Sequence, residues 1–274
     1  MKSFDPAKLK TFATNVRANC LKMVARANAS HIGSSLSCVD IMAYLYDYWL
    51  EFDASDPSRR DRDRFVMSKG HAAAALYATL AEAGFFPADW LEQYCCNGGR
   101  LAGHATHNSA PGIELSTGAL GHGLPVCVGM ALYAKNSTRS NNVVCLLSDG
   151  ELDEGSNWEA FLFAPAKKLG NLVAIVDYNK IQSYGRVDDV LPLEPLADKL
   201  RAMGWNVMEF DGHDFTQIDN ALSQVNPAGS LPTFAIAHTI KGKGVSFMED
   251  SLAWHYKCPS ETQLQQALQE LGVK

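Results

Sequence analysis

The sequence has no excess of basic residues: 24 Lys and Arg stand against 30 Asp and Glu, a formal net charge of −6. Proteins that bind nucleic acid without sequence preference face phosphate with surplus Lys and Arg, so this balance argues against that class and leaves room only for local basic patches. No apolar run reaches the roughly 18 residues that a membrane-spanning helix needs, and the opening stretch MKSFDPAKLKTFATNV lacks the apolar core of a secretory signal. The seven cysteines, at 20, 38, 95, 96, 127, 145 and 258, include no Cys-x-x-Cys pair and sit mostly in apolar stretches. They read as reduced, buried thiols of a cytoplasmic protein. There is no internal repeat, no low-complexity tract and no Walker phosphate loop. What remains is ordinary for a soluble globular chain: 274 residues, 47% hydrophobic and 20% charged, enough for a sizeable core.

Apolar positions at Leu9, Phe12, Val16, Cys20, Met23, Val24 and Ala27 recur near the helical period, predicting a helix over residues 5–29 with Asp5 as cap and Pro6 in the first turn. Residues 30–35, Ser-His-Ile-Gly-Ser-Ser, read as a breaker, after which Ser37 caps an apolar helix through Val39, Ile41, Met42, Leu45 and Tyr46. Tyr46, Tyr48, Trp49 and Phe52 read as core or interface. A short strand at 65–67 then leads through Ser68-Lys69-Gly70-His71 into an alanine-rich helix ending near Gly84. Residues 98–123 form a long loop punctuated by Gly and Pro, of the kind that serves as a lid or binding loop. Beyond it, helices are predicted at 124–135, 157–169, 195–203, 215–225 and 260–271, alternating with strands at 143–147, 172–177, 205–210 and 233–238. The strands are near-continuous apolar runs. That pattern argues an α/β fold, a doubly wound, mostly parallel sheet with helices on both faces, and the whole of 1–274 reads as one domain.

In such a sheet, ligands bind beyond the carboxyl ends of the strands. The suspicious polar groups fall there: Ser68 to His71, Asp149-Gly150, Asn179 to Ile181 and His238 to Gly242. Asp149 and Asn179 are about one strand-helix-strand crossover apart, so both can reach the same edge. A carboxylate and an amide are hard oxygen donors, suited to holding Mg²⁺ on a phosphate-bearing cofactor. Each alone has a plainer reading as a β-turn or Asx-turn, and it is their joint placement that points to a ligand. His71 opens a helix after Gly70, where free N–H groups favour an anion, although simple helix capping is the alternative. His31 and His104 sit in Gly-rich loops, either as site residues or as exposed loop positions. His104 and His107 have a zinc-like spacing but no third ligand at a fitting distance in the chain. Gly118, Gly121 and Gly123 follow no strand, so they suit close backbone approach to a flat ring or phosphate better than a dinucleotide fingerprint. His255, after Trp254, ends a segment that otherwise reads as a surface turn.

Taken in order, the segments ANASHIGSSLSCVDI, DRFVMSKGHAAAALY, LAGHATH, ELSTGALGHGLPVCVGMA, LLSDGELDEGSNWEA, VAIVDYNKIQSYG and HTIKGKGVSFMEDSLAWH resemble the N-terminal, diphosphate-binding half of transketolase. The closer likeness is to the separately encoded N-terminal subunit found where transketolase is split into two chains, and it covers nearly the whole sequence. The resemblance implies the thiamine diphosphate-binding fold and a cofactor of thiamine diphosphate with Mg²⁺ or Ca²⁺. It implies Asp149, Asn179 and the Ile181 carbonyl as metal ligands, and His71, Gly150 and His255 as groups bonding the diphosphate. It places the Gly118 and Leu120 backbone along the cofactor rings. It also implies His31 and His104 as groups that face the substrate hydroxyls, with His255 joining them in shuttling protons. Glu154 matches an acidic residue that communicates with a partner's cofactor-activating Glu.

That activating Glu belongs to a second, pyrimidine-binding domain, which this sequence does not contain. The resemblance therefore implies an enzyme that moves a two-carbon ketol unit from a ketose to an aldose only with a C-terminal partner subunit, two copies of each chain assembling on sugar phosphate substrates. The chain departs from the family in Ala119 and His122, and in Cys95, which stands where long transketolases carry a phosphate-contacting Arg. Arg100 is the nearer cation here. The acceptor is then unusual, or its phosphate is held by the partner. Two other readings stand beside ketol transfer: 1-deoxyxylulose-5-phosphate synthase-like or 2-oxoacid decarboxylating chemistry, and a non-catalytic cofactor-binding chain.

Overall fold

The computed structural model describes residues 3–137 and 141–273. The first helix, α1 (Pro6–Ala27), starts where the sequence predicts: the Asp5 carboxylate accepts from the Ala7 and Lys8 amides at 3.0 and 3.3 Å, with Pro6 in the first turn. It ends at Asn28, whose left-handed backbone turns its N–H back onto the Val24 and Ala25 carbonyls. Then follow α2 (Ile32–Ser37), α3 (Val39–Tyr44), β1 (Arg64–Met67), α4 (Ala73–Glu82), α5 (Gly123–Asn136), β2 (Val143–Ser148), α6 (Gly155–Ala166), β3 (Leu172–Tyr178), α7 (Val187–Val190), α8 (Leu196–Ala202), β4 (Asn206–Asp211), α9 (Phe215–Leu222), β5 (Thr233–His238) and α10 (Glu261–Glu270).

The five strands form one all-parallel sheet in the order β1-β2-β3-β5-β4. Side chains alternate across it, and the alternation sorts the apolar residues into two cores. Val144 and Leu146 of β2, Val173 and Ile175 of β3, and Ala235 and Ala237 of β5 face α1, α3, α4 and α9. Val143, Cys145 and Leu147, Leu172, Ala174 and Val176, and Phe234 and Ile236 face α5, α6 and α8. Strands buried on both faces need apolar residues at every position, which is why they read as unbroken hydrophobic runs.

Four local expectations change. The stretch 30–35 is not a breaker, because α2 begins at Ile32. His31 takes the turn at φ 71, Ile32 and Leu36 are fully buried, and Ser35 satisfies its hydroxyl on the His31 carbonyl at 3.0 Å. Ser37 accordingly ends α2 instead of capping the next helix. His71 lies in a 3₁₀ turn, Gly70–Ala72, one step ahead of α4. All seven cysteines are free thiols, but only Cys20, Cys38, Cys127 and Cys145 are buried, while Cys95 and Cys96 are exposed. Among the described residues, no helix is long and apolar enough to cross a membrane.

Candidate functional site

The strand register brings four strand ends together. Met67 pairs with Leu146, Ser148 with Asp177 and Tyr178 with His238, so the residues that follow β1, β2, β3 and β5 emerge side by side. They line a cleft of about 440 Å³. Asp149 and Gly150 come from β2, Asn179 and Ile181 from β3, and His71 from β1. His31 enters from the turn before α2, His104, Gly118 and Leu120 from the long loop, Glu154 from the start of α6, and His255 from the 3₁₀ turn Leu252–His255. All eleven candidate residues border this one cleft, whereas His107 does not.

Asp149 is almost fully buried, its two oxygens accepting from the Gly150 amide at 2.7 Å and the Lys180 amide at 2.6 Å. Burial, and then the neighbouring Asp177 charge, raise its carboxyl to about 6. Asn179 Oδ1 accepts from the Ile181 amide at 3.1 Å, and the Ile181 carbonyl accepts from Lys241 Nζ at 2.8 Å. A carboxylate, an amide oxygen and a backbone carbonyl are the donor types a hard divalent cation takes, and each keeps a lone pair free. Two of the three donors are uncharged, so it fits that the described residues hold no cluster of three or more His, Cys, Asp or Glu side chains able to bind a metal. Close approach is built in as well: a Cβ on Gly70 would lie 2.5 Å from the Thr117 carbonyl carbon, and Gly118, at φ +142, rests against the His104 ring.

Four imidazoles crowd the cleft. The His31 ring centre lies 5.3 Å from that of His71, 5.8 Å from His104 and 5.0 Å from His255. Burial lowers His31 to about 4 and His255 to about 3, and drives His71 well below its usual value, with Lys69 and Lys241 adding repulsion. These three rings are therefore neutral at physiological pH. Lys241 Nζ sits 3.0 Å from His255 Nδ1, and an ammonium only donates, so Nδ1 accepts and Nε2–H remains to donate.

Beneath the cleft lies a polar network that the sequence reading missed. Asp177, the penultimate residue of β3, accepts from Lys69 Nζ, Ser37 Oγ and Thr239 Oγ1, and Asn179 Nδ2 approaches it at 3.4 Å. Lys69 also donates to the Ser34 carbonyl at 2.9 Å. Burial opposes both charges, but the pairing overcomes it, holding Lys69 up and Asp177 down. A charged residue at the end of an otherwise apolar strand was the available signal. Lys241, 1% exposed, is a second buried cation, lowered to about 8 by burial although Asp149 opposes the shift. Among the described residues, no arginine lines the cleft. Arg100 lies over Trp90, its guanidinium carbon 4.4 Å from the ring centre.

The family model described as "Transketolase, thiamine diphosphate binding domain" matches residues 9–274. The chain belongs to the transketolase family. It is 43% identical over 270 residues to one of the subunits of an apulose-4-phosphate transketolase from Actinobacillus succinogenes, covering 98% of this chain and 97% of that protein. It is 40% identical to a 6-deoxy-6-sulfo-D-fructose transketolase subunit of a Clostridium species, covering 94% of each. Among solved structures, transketolase from Campylobacter jejuni superposes with a TM-score of 0.93 at 30% identity, covering 99% of this chain and 44% of that one. The chain thus spans nearly the full length of the two subunit relatives, but less than half of the solved transketolase.

Proposed function

We propose that this chain is the N-terminal, thiamine diphosphate-binding subunit of a two-chain transketolase that transfers a ketol unit between sugar phosphates. The observation that carries the reading is the cleft itself, in which Asp149, Asn179 and the Ile181 carbonyl converge beside four histidines. Support comes from the two relatives described as transketolase subunits, which match 98 and 94% of this chain.

In this reading Asp149, Asn179 and Ile181 hold Mg²⁺ or Ca²⁺, and His71, Gly150 and His255 bind the diphosphate. When bound, thiamine diphosphate supplies a carbanion nucleophile and an electron sink. The protein's part is to bind, orient and move protons. Lys241 places a buried positive charge under the anion-binding end, while the charge of Lys69 beside it is met by Asp177. Gly118 and Leu120 offer backbone to the rings. His31 and His104 face the substrate side, where an imidazole can donate to a developing alkoxide or accept a hydroxyl proton. His255 offers its Nε2–H there as well. Glu154, exposed at the mouth of the cleft, meets the partner. Residues 1–274 act as a single domain, in the cytoplasm, with two copies of each subunit.

The test is reconstitution with a second chain carrying a pyrimidine-binding pattern. The mixture is expected to transfer two-carbon units between sugar phosphates while neither chain does so alone. Turnover by this chain unaided, or pyruvate consumption with CO₂ release by the pair, would overturn the proposal.

A further inference from the structure

We propose that His213 is a positioning residue for Lys241, held in the required tautomer by Asp40. This rests on the reading of Lys241 as a cation of the diphosphate cleft. Lys241 reaches the Ile181 carbonyl and His255 through a flexible four-carbon stem, so its placement depends on a fixed backbone. The backbone is held on both sides. The Ile240 amide, one residue before Lys241, donates to His213 Nε2 at 2.9 Å. The Lys243 carbonyl, two residues after it, accepts from Arg17 Nε at 3.1 Å. The Gly242 amide between them donates to the Gly33 carbonyl at 3.0 Å.

Asp40 joins the two side-chain grips. It takes Arg17 in a two-pronged pair at 2.9 and 2.6 Å, and its Oδ2 lies 2.7 Å from His213 Nδ1. Burial opposes the Asp40 charge, but Arg17 and then His213 hold the carboxyl at about 2. An ionised carboxylate only accepts, so the ring proton must sit on Nδ1, which leaves Nε2 bare to receive the Ile240 amide. The side chains of Arg17, Asp40 and His213 are 8, 9 and 10% exposed, and none of them borders the cleft. Two buried polar groups from α1 and α3 and the largely covered His213 from the turn after β4 thus converge on the segment that carries Lys241. The stretch Asp211-Gly212-His213-Asp214, which sequence reasoning passed over, gains a role.

A glutamine amide offers a donor and an acceptor on neighbouring atoms, as a neutral imidazole does, whereas phenylalanine offers neither. On the unliganded full chain, His213→Phe is expected to speed hydrogen exchange in residues 239–244 about tenfold, leaving the sheet unchanged, and His213→Gln is expected to keep the protection. Titration with Mg²⁺ and thiamine diphosphate should show about tenfold weaker binding for His213→Phe and near-native binding for His213→Gln. If His213 acts through Lys241, adding His213→Phe to Lys241→Met causes no further loss, because coupled sites are not additive. Additive losses, unchanged exchange in His213→Phe, or native binding in Lys241→Met would each overturn the inference while leaving the cofactor reading intact. A native chain that binds no thiamine diphosphate, with or without a partner, sinks that reading instead, and the exchange experiment still decides the clamp. Should His213→Phe not fold, His213→Asn, whose short amide reaches only one of the two partners, carries the same expectations.

Discussion

Lys69 and Asp177 form an ion pair in which neither side chain has any solvent exposure. Two desolvated charges persist only when they face each other and their remaining valences are filled, and here Ser34, Ser37 and Thr239 fill them. Lys69→Met leaves the Asp177 carboxylate buried and uncompensated. The expected cost is about 3–5 kcal/mol of folding stability, read from urea unfolding of the unliganded chain. A loss below about 1 kcal/mol would mean that the pair is not held as described.

Asp149 behaves oppositely. Burial and Asp177 disfavour its charge, so its raised carboxyl favours folding at low pH and loses that contribution as pH rises through about 6. At pH 7.5, Asp149→Asn removes an unfavourable charge but turns an NH₂ group toward one of the two backbone amides that Asp149 accepts from, so the two effects oppose each other and the unliganded chain is expected to melt close to the native one. With Mg²⁺ and thiamine diphosphate the two separate. The native chain gains stability through binding, and Asp149→Asn gains little. A ligand-induced shift in melting temperature as large in Asp149→Asn as in the native chain would remove Asp149 from the metal site.

Much of the architecture was legible because the inner strands of a two-sided parallel sheet take apolar residues at nearly every position, and because Asp149 and Asn179 follow two such runs. The long loop and the strand-end histidines could be read for the same reason: polar groups at the end of an apolar run have few structural uses. What stayed hidden depends on tertiary register. In the sequence Asp177 reads only as the last residue of a strand, since the Ser148 to Asp177 and Tyr178 to His238 pairings are what place it between Lys69 and Thr239. The helix at Ile32–Ser37 was hidden because its small polar residues look like a loop until the buried surface they pack against is known.

The histidine cluster gives the chain a specific acid sensitivity. The folded pKa values of His31 and His255 lie near 4 and 3, below the ordinary value of 6.5. Between those limits the unfolded chain takes up protons that the folded chain refuses, so stability falls as pH drops from about 6.5 towards 4 and the slope flattens below that. Replacing both residues by Asn is expected to make the slope shallower over that window. Comparing urea midpoints at pH 7 and pH 4.5 checks this. Parallel pH profiles for the native and doubly substituted chains would show that these rings are not the groups responsible.

Gly121 links the cofactor-facing loop to the residue expected to meet the partner. Its amide donates to the buried Glu151 carboxylate at 3.0 Å, and its carbonyl accepts from Ser156 Oγ at 2.7 Å. Its φ is +80, and an added Cβ would lie 2.6 Å from Glu154 Cβ. Gly121→Ala therefore costs about 1–2 kcal/mol in backbone strain and also displaces Glu154. Asp149, Asn179 and Ile181 hold their positions through contacts that do not involve Gly121. The expected result is that Mg²⁺-dependent binding of inorganic pyrophosphate stays within about threefold of native, while affinity for the partner subunit falls about tenfold or more, each measured by titration. Equal losses in both would mean that the substitution acts on the whole cleft and not through Glu154.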